Sequence, residues 1–389
     1  MPPRIAYFPD SFHEVNGVAH TSRNFAAYAR RHYVPMLCVR AGQTTRRLDP
    51  EGSFEALELG RSPLAVKMEK DLSFDPLFFR YSGLISETVR AFRPNIIHIT
   101  GPSELGIFGA YFAWQLGIPL AASWHTNIHE YAGRRMRWLS RHMGAFGPKI
   151  EHGVETGSLD AVSRFYRLAK VLYAPNPELC TLLERTTGRP CHLMQRGVDT
   201  NIFTPAKRTR AANDGQLVLG YVGRLSVEKN VALLPRSDAE LREQGVRPRW
   251  LIAGHGAEEA ALRSALGDAA IVGVLHGEDL AQAYANLDLF VFPSHTDTFG
   301  NVVLEALASG VPAIVTPDGG PAHILHAAEA FTGPVGCIAR DDDFSQAIAR
   351  LLAQPEALAA MRASARDYAL CCSWDAVFDR VLAAYPIVL

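Results

Sequence analysis

The sequence predicts an α/β protein with two doubly wound parallel sheets that face each other across a cleft. Short apolar segments alternate with helical patterning from the N-terminus onward. A polar and basic stretch at 191–215 interrupts this alternation, which then starts again. The length of 389 residues also suits two domains of ordinary size. We therefore predict a first domain at 1–190, a linker at 191–215 and a second domain at 216–365, followed by C-terminal helices at 366–389 that cross back to the first domain.

The first half begins with the strand "RIAYFP", which leads into a loop and a helix carrying Phe25, Ala26 and Ala29. The further strand candidates of this half are "PMLCVR", "NIIHIT", "PLAASWHT" and "VLYAP". The segment "ELGIFGAYFAWQLG" between them is predicted to be helical. Another helix is predicted to start at Asn176-Pro177, because Asn is a good N-cap and Pro suits the first helical position.

The second half repeats this pattern with five more strand candidates. They are "LVLGYVGRL", "RWLIAGHG", "AIVGVL", "LDLFVFPS" and "PAIVT". The last of them follows a short helix at Asn301, which Gly310 is expected to end. The chain then finishes in mostly helical patterning.

Composition favours a cytoplasmic enzyme or binding protein over a nucleic-acid-binding or membrane-spanning one. The formal net charge is −1, so any anion site must be a local cluster of Lys and Arg. The six cysteines form no C-x-x-C pair, which suggests reduced thiols and no zinc site. No signal peptide is expected at the N-terminus, and no segment has the roughly 18 apolar residues of a membrane span.

The segment "YVGRLSVEKN" is a candidate phosphate site of the second domain. It places Gly223 at the end of a strand, followed by Arg224 and Lys229, and ligands in such sheets bind outside the carboxyl ends of strands. Arg as a bidentate donor and Lys as a point charge suit a diphosphate. A solvated basic turn is the alternative. Gly254 and Gly256 in "IAGHG" would let a second backbone edge approach the same ligand.

Two acids, Asp297 and Glu305, lie eight positions apart around the start of the helix at Asn301. The N–H groups at that helix start favour a phosphate or sugar oxygens near Gly300. Carboxylates beside such a site are good acceptors for sugar hydroxyls. We therefore expect Glu305 to bind a ribose diol and Asp297 the hydroxyls of a transferred sugar. A capping Asp and a half-exposed helical Glu are the alternative.

Other polar segments are open to two interpretations. His125 ends a strand of the first domain, and Gly17 follows the first strand, so both are candidates to approach the ligand. The run "RDDD" at 340–343 suggests a metal, although acids at a helix N-terminus explain it better. The basic segment 131–149, with apolar residues between its arginines, suits contact with an anionic membrane or an ordinary basic helix face.

These segments together resemble the retaining glycosyltransferases of family four, which have the GT-B fold of two Rossmann-like domains. The signature of that family is E-x7-E followed by an "EA-A-G-PV" run, and here Asp297 takes the place of the first Glu. The other similar segments are "VNGVA", "WHT", "RGVDTNIFTP", "GRLSVEKN", "GHG" and "SWDAVF". The likeness covers nearly the whole chain.

The resemblance implies roles for most of these residues. Arg224 and Lys229 would hold the pyrophosphate of a nucleotide-sugar donor, and Glu305 its ribose. Asp297 would hold the donor sugar, and His125 would face that sugar from the first domain. The backbone residues implied in donor binding are Gly17, Gly223, Gly254, Gly256, Phe299, Gly300, Asn301 and Val302.

The predicted activity is transfer of a hexose from a UDP-glucose-like donor or GDP-mannose to a hydroxyl, with retained anomeric configuration. We expect no metal and no other cofactor, because Arg224, Lys229 and the helix N-terminus would stabilise the leaving group. The acceptor could be a lipid or a glycoconjugate, with the protein peripheral on the inner face of the membrane. A nucleotide-sugar epimerase and a nucleotide-binding module of weak activity are the alternatives. A dehydrogenase is disfavoured, because no G-x-G-x-x-G follows a predicted strand.

Overall fold

The computed structural model describes residues 3–14, 17–49, 52–69, 72–75, 77–124, 160–211, 214–297 and 299–387. They fall into two compact units. The first unit consists of Met1–Gln195 and Val377–Leu389, and the second of Arg196–Ala376. Residues 191–195 of the predicted linker thus belong to the first unit, and residues 366–376 of the predicted C-terminal helices belong to the second.

The first unit is built on an eight-stranded sheet. Its strands are β1 (Ile5–Phe8), β2 (Met36–Gly42), β3 (Arg46–Leu48), β4 (Phe54–Gly60), β7 (Ile96–Ile99), β8 (Leu120–Ser123), β9 (Val171–Ala174) and β10 (Cys191–Leu193). Their order in the sheet is β10-β9-β8-β7-β1-β2-β4-β3. The edge pair of β3 and β4 is antiparallel, and the other pairs are parallel. Strands β5 (Val66–Glu69) and β6 (Leu72–Phe74) form a separate antiparallel pair.

Helices of the first unit connect these strands. They are α1 (Gly17–Arg31), α2 (Ser82–Phe92), α3 (Glu104–Leu116) and α4 (Pro177–Thr187), with a 3-10 turn at Phe78–Tyr81. The predicted start of α4 is confirmed, because the Asn176 side chain accepts a hydrogen bond from the Leu179 N–H at 2.8 Å. The helix ends at Gly188, whose φ of 69° needs the conformational freedom of glycine.

The second unit is built on a six-stranded sheet in which all pairs are parallel. Its strands are β11 (Val218–Val222), β12 (Arg249–Ala253), β13 (Ile271–Gly273), β14 (Leu289–Phe292), β15 (Ala313–Val315) and β16 (Gly336–Ile338). Their order in the sheet is β13-β12-β11-β14-β15-β16.

The helices of the second unit alternate with its strands up to β16, after which two helices follow in succession. They are α5 (Leu233–Glu243), α6 (Glu259–Leu266), α7 (Gly277–Ala285), α8 (Asn301–Ala308), α9 (Gly319–Phe331), α10 (Phe344–Leu352) and α11 (Pro355–Cys371). The last helix, α12 (Trp374–Ala384), begins in the second unit and continues in the first. Short 3-10 turns lie at Pro205–Lys207, Val227–Lys229, Asp268–Ala270 and Tyr385–Ile387. Strands β11, β14 and β15 are buried on both faces, and β12 is buried except at Arg249 and, in part, Leu251, which is why these strands read as apolar runs.

Each sheet changes the direction of strand order at one place. In the second unit the order runs outward from β11 to β12 and β13 on one side and from β14 to β16 on the other. The first unit has the same kind of reversal between β1 and β7. Parallel strands end at one edge of a sheet, and the loops that separate at such a switch point leave a crevice for a ligand. The loops after β11 and β14 therefore border the expected ligand crevice of the second unit.

All ten strands predicted from apolar runs are present, and the described ranges contain six further strands that were not predicted. Among the latter, β10 lies inside the predicted linker, where only three residues continue the sheet beside β9. The last residues of the chain complete the first unit. There Phe378 stacks on Phe25 with ring centroids 4.6 Å apart, and the Tyr385 hydroxyl lies 2.6 Å from His98 Nδ1 on β7.

Candidate functional site

The loop after β11 is held open by close backbone packing at glycines. Gly223 has a φ of 154° and follows directly on β11, and Gly254 has the same φ after β12. A Cβ on Gly254 would lie 1.9 Å from the Gly223 carbonyl oxygen, and one on Gly256 would lie 2.1 Å from the Leu225 carbonyl oxygen. Only glycine fits at these two points, so the two loops can run side by side at the sheet edge.

The same loop carries Lys229, which meets Asp297 from the loop after β14. Lys229 Nζ lies 2.8 Å from Asp297 Oδ2, and about a fifth of each side chain is exposed. The pair spans the switch point, because β11 and β14 are neighbours there. A cation and an acid predicted from separate motifs thus form one ion pair.

The other oxygen of Asp297 organises the start of α8. Oδ1 accepts hydrogen bonds from the backbone N–H groups of Phe299 at 3.2 Å and Gly300 at 2.7 Å. Burial alone would raise the pKa of Asp297, but the Lys229 ammonium and these two N–H groups outweigh it and lower the pKa below its ordinary value. Asp297 is therefore ionised at neutral pH and positions the loop. Its predicted contact with sugar hydroxyls stays a prediction.

Gly300 turns the chain into α8. It is the N-cap residue with a φ of 70°, and an added Cβ would lie 2.9 Å from Ile324 Cδ1 and 3.1 Å from the Pro321 nitrogen. Asn301 and Val302 follow as the first helical residues and are half-buried. Asn301 Oδ1 is buried without a hydrogen-bond partner among the described residues, as is Ser226 Oγ in the facing loop. Such groups are normally satisfied by a partner, so both atoms are candidates to contact a polar ligand at this edge.

Arg224, the second predicted phosphate residue, lies on the surface of its loop. Its Nη1 is 3.0 Å from Glu228 Oε1, and 71% of the Arg224 side chain is exposed. That Arg224 and Lys229 act together on a diphosphate stays a prediction. The two side chains differ in their surroundings. Lys229 is enclosed by the site, whereas Arg224 is paired with an acid four residues away.

Glu305 lies on α8 with its carboxylate in a largely apolar setting. The buried Tyr284 hydroxyl on α7 donates a hydrogen bond of 2.9 Å to Oε2. Burial raises the pKa of Glu305 to about 7, against the opposing effect of this hydrogen bond. Glu305 thus changes charge near neutral pH, unlike Asp297. The sequence missed Tyr284, because a tyrosine on the inner face of a helix looks like an ordinary core residue.

Arg196 is a second residue that the sequence analysis missed. Its guanidinium carbon lies 3.8 Å above the centre of the Phe299 ring, next to the start of α8. The residue stood inside the predicted linker, and no spacing pattern connects it with Phe299, which is more than a hundred positions away in the sequence.

A network of polar side chains holds the surrounding loops together. The His295 ring lies between Asp318, at 2.7 Å from Nδ1, and Asp341, at 3.1 Å from Nε2, and these acids raise the pKa of His295. Asp341 also accepts a hydrogen bond of 3.0 Å from Asn230. Asp341 is therefore tied to two side chains, and the acids at 341–343 do precede a helix as expected. Asp343 is the N-cap of α10 without a capping hydrogen bond, and Arg350 pairs with it at 2.7 Å.

Three further predicted features are Gly17, His125 and the basic segment 131–149. Gly17 is the first residue of α1 and is half-buried. His125 and the basic segment 131–149 lie outside the described residues. Within the described ranges, no group of three or more His, Cys, Asp or Glu residues is arranged to hold a metal ion, and no helix is long and apolar enough to cross a membrane.

The switch point of the first unit also carries an acid, which the sequence analysis did not select. Asp10 follows β1, and its backbone N–H donates to the Thr100 hydroxyl at 2.7 Å beyond β7. Its carboxylate accepts a hydrogen bond from Ser103, the N-cap residue of α3. Burial raises the pKa of Asp10 to about 6, with a smaller contribution of the same sign from Glu104. A Cβ on Gly101 would lie 2.1 Å from Asp10 Oδ2.

Comparison with known families assigns both halves of the chain to glycosyl transfer. Residues 203–368 match the family model "Glycosyl transferases group 1", and residues 16–179 match "Glycosyl transferase 4-like domain". The first match contains every site residue described in the second unit except Arg196.

Relatives of similar length carry related names. A "GDP-mannose-dependent alpha-mannosyltransferase" of Mycobacterium tuberculosis is 29% identical and covers 99% of this chain and 97% of its own. One from Corynebacterium glutamicum is 30% identical and covers 84% and 75%, respectively. The solved sucrose-phosphate synthase of Thermosynechococcus elongatus has a TM-score of 0.63 at 17% identity, with 98% of each chain covered. That structural likeness concerns the fold, which it shares with this chain.

Proposed function

Since this chain belongs to the group 1 glycosyltransferases with the GT-B fold, we propose that it transfers a hexose from GDP-mannose to a hydroxyl acceptor with retention of anomeric configuration. The family supports transfer from a nucleotide sugar. The choice of mannose and guanosine rests on the names of the relatives from M. tuberculosis and C. glutamicum, and UDP-glucose is the next donor to consider.

One observation carries the proposal at the level of the site. Lys229 and Asp297 close an ion pair of 2.8 Å across the switch point, and Asp297 in turn holds the backbone at the start of α8. This arrangement fixes an ammonium group and a helix N-terminus at one edge of the sheet. Both would face the charge that develops on a departing diphosphate, and preorganised groups of this kind contribute about 3–4 kcal/mol each in enzymes.

Two further contacts would fix the donor. Glu305, when ionised, is a good acceptor for the two ribose hydroxyls, and Tyr284 keeps its carboxylate in place. The unpartnered Asn301 Oδ1 would accept a hydrogen bond from a sugar hydroxyl, and the Ser226 hydroxyl would donate one to the sugar or the phosphate. The described site brings no second carboxylate to a nucleophile position beside Asp297. We therefore favour attack of the acceptor on the same face that the diphosphate leaves, with the leaving phosphate taking the proton.

The acceptor is proposed to be lipid-linked or a glycoconjugate, with peripheral contact to a membrane. Support comes from α3, where Ile107, Tyr111 and Trp114 lie on one helix face and are exposed, Trp114 to 81%. Apolar and aromatic side chains of this type suit the headgroup region of a bilayer. The basic segment 131–149 is the second candidate for this contact.

A donor screen tests the proposed activity. Release of nucleoside diphosphate would be measured with GDP-mannose and UDP-glucose, each with a panel of soluble and lipid-linked hydroxyl acceptors. We expect release that depends on the acceptor, faster with GDP-mannose, and unchanged by EDTA because Lys229 and the α8 N-terminus supply the positive charge. Exchange at C2 of the donor without release would indicate an epimerase, and activity restored only by Mn²⁺ would contradict the proposed metal independence.

A further inference from the structure

The cationic side chains of the donor crevice differ in whether an acid lies beside them. Lys229 lies 2.8 Å from Asp297, and Arg224 lies 3.0 Å from Glu228. Each of these positive charges is therefore partly offset by its own acid. A donor diphosphate carries at least two negative charges, which these pairs alone balance poorly.

Arg196 differs from both of them. Its guanidinium stacks on the Phe299 ring at 3.8 Å, and it makes no ion pair or hydrogen bond with any described residue. Burial lowers the pKa of Arg196, and the opposing effect of the Asp297 charge, which lies beyond ion-pair distance, does not outweigh it. A half-buried guanidinium has five N–H donors, and leaving them unused is unfavourable.

The ring of Phe299 explains how this arrangement is maintained. A guanidinium that lies flat on an aromatic face keeps its N–H groups in its own plane, free to form hydrogen bonds at the ring edge. Phe299 itself is anchored, because its backbone N–H donates to Asp297 Oδ1. The stack therefore places Arg196 beside the loop that starts α8, with its donors available to a ligand.

We propose that Arg196 is an anion-binding residue of this crevice, whose guanidinium, stacked on Phe299, binds a phosphoryl or carboxylate oxygen of a substrate. This proposal rests on the proposed function, which gives the position of the donor. The presence at this position of a cation that is unpaired among the described residues does not depend on it. The oxygen could belong to the diphosphate of the donor or to an anionic acceptor. Both present the planar or tetrahedral oxygens that a guanidinium binds with two N–H groups.

The test compares Arg196→Gln with Arg236→Gln, a matched control. Arg236 lies in the same unit, on α5, with about half of its side chain exposed and its Nε 2.8 Å from Glu240. Binding of GDP, of inorganic pyrophosphate and of uncharged guanosine would be measured by calorimetry without acceptor, at two salt concentrations. Thermal unfolding would confirm that both variants are folded.

If the donor supplies the anion, Arg196→Gln should weaken GDP and pyrophosphate about tenfold or more, with a smaller salt dependence and no change for guanosine. Arg196→Lys should recover part of the affinity, since it keeps the charge but not the planar fork. If the acceptor supplies the anion, GDP binding stays unchanged. In that case the KM for an alkyl glucuronide rises while the KM for the matching neutral alkyl glucoside does not.

The role of Arg196 would be overturned if the wild type binds GDP and Arg196→Gln has the same GDP affinity and the same acceptor KM values as the wild type. This result would leave the proposed function intact. A wild type that binds GDP through Arg196 but forms no glycoside from any donor would contradict the proposed function and support the role of Arg196. A chain that binds neither GDP, UDP nor pyrophosphate and has no acceptor preference would contradict both.

Discussion

Asp10 and Asp297 hold comparable positions in the two units, since each follows a strand next to the switch point of its sheet. Asp297 is paired with Lys229 and accepts two backbone N–H groups, and its pKa is lowered. The described contacts of the Asp10 carboxylate are to hydroxyl and backbone groups, and its pKa is raised to about 6. One fold thus yields a fixed negative charge in the second unit and a carboxyl that exchanges its proton near neutral pH in the first.

The difference arises from partners more than from burial. Both acids are withdrawn from water, which raises a carboxyl pKa unless positive groups compensate. Lys229 provides that compensation for Asp297, whereas Glu104 beside Asp10 adds a like charge. The second unit therefore has the preorganised charge that we propose stabilises a leaving group, and removing its cation should make Asp297 resemble Asp10.

The largest expected effect follows from Lys229→Ala. We expect the kcat for sugar transfer to fall by about a hundredfold or more, because a charge-assisted contact to the leaving phosphate is lost and Asp297 is left unpaired. Steady-state kinetics with GDP-mannose would measure this, with Arg236→Gln as the control for a removed surface charge. Near-normal turnover in a well-folded Lys229→Ala protein would remove the phosphate role.

Glu305 resembles Asp10 more than Asp297, because burial raises its pKa as well, and its titration gives the next prediction. Its pKa of about 7 means that the carboxylate is mostly protonated at pH 6 and ionised at pH 8. If the ionised form accepts the ribose hydroxyls, GDP affinity of the wild type should rise over this range. Glu305→Gln should be about tenfold weaker at pH 8 and should lack that rise. Since GDP itself titrates near pH 6, only the difference between the two proteins is informative, and parallel pH profiles would contradict the ribose role.

The two aspartates can be compared directly by amide replacement, with stability measured against pH. Asp297 has a lowered pKa, so its contribution is present above about pH 4 and is lost as the pH falls. Asp297→Asn should therefore cost about 1–3 kcal/mol of unfolding free energy at pH 7 and little at pH 3. Asp10 has a raised pKa, so the wild type loses stability as the pH rises from about 4 through 6.

Asp10→Asn removes that titration and should be more stable than the wild type at pH 8 by about 1 kcal/mol, with no advantage at pH 4. Denaturant unfolding across this pH range would measure both variants. Loss of stability of the same size and pH dependence in both proteins would show that the two carboxyls are not distinguished by their partners.

Sequence patterns predicted the fold well because parallel strands buried on both faces are apolar runs with glycine turns, and all ten such runs are strands. The edge strands β3, β10 and β16 were not predicted, since their residues are exposed or only half-buried and do not form an apolar run. Lys229 and Asp297, which were selected from local motifs, lie together in the structure, and their roles toward a donor stay predictions. Arg196 and Tyr284 were missed, because their contacts with Phe299 and Glu305 depend on packing between distant segments.

The environment of a predicted residue was harder to predict than its position. Arg224 and Lys229 are five residues apart and looked equivalent, but one is exposed beside Glu228 and the other is enclosed beside Asp297. Likewise, an acid after a strand can be a ligand acceptor or a support for the loop. The choice depends on which N–H groups lie within reach, and the chain order does not reveal this.

We propose that the charged crevice of the second unit supports retaining transfer from a nucleotide sugar. Proton NMR of one reaction tests it most directly, with GDP-mannose, a hydroxyl acceptor identified in the donor screen, wild-type protein and Lys229→Ala in parallel. We expect the wild type to form an α-linked mannoside from the α-linked donor, together with an equal amount of GDP. We expect almost none of either product with Lys229→Ala. A β-linked product, or equal rates with both proteins, would contradict it.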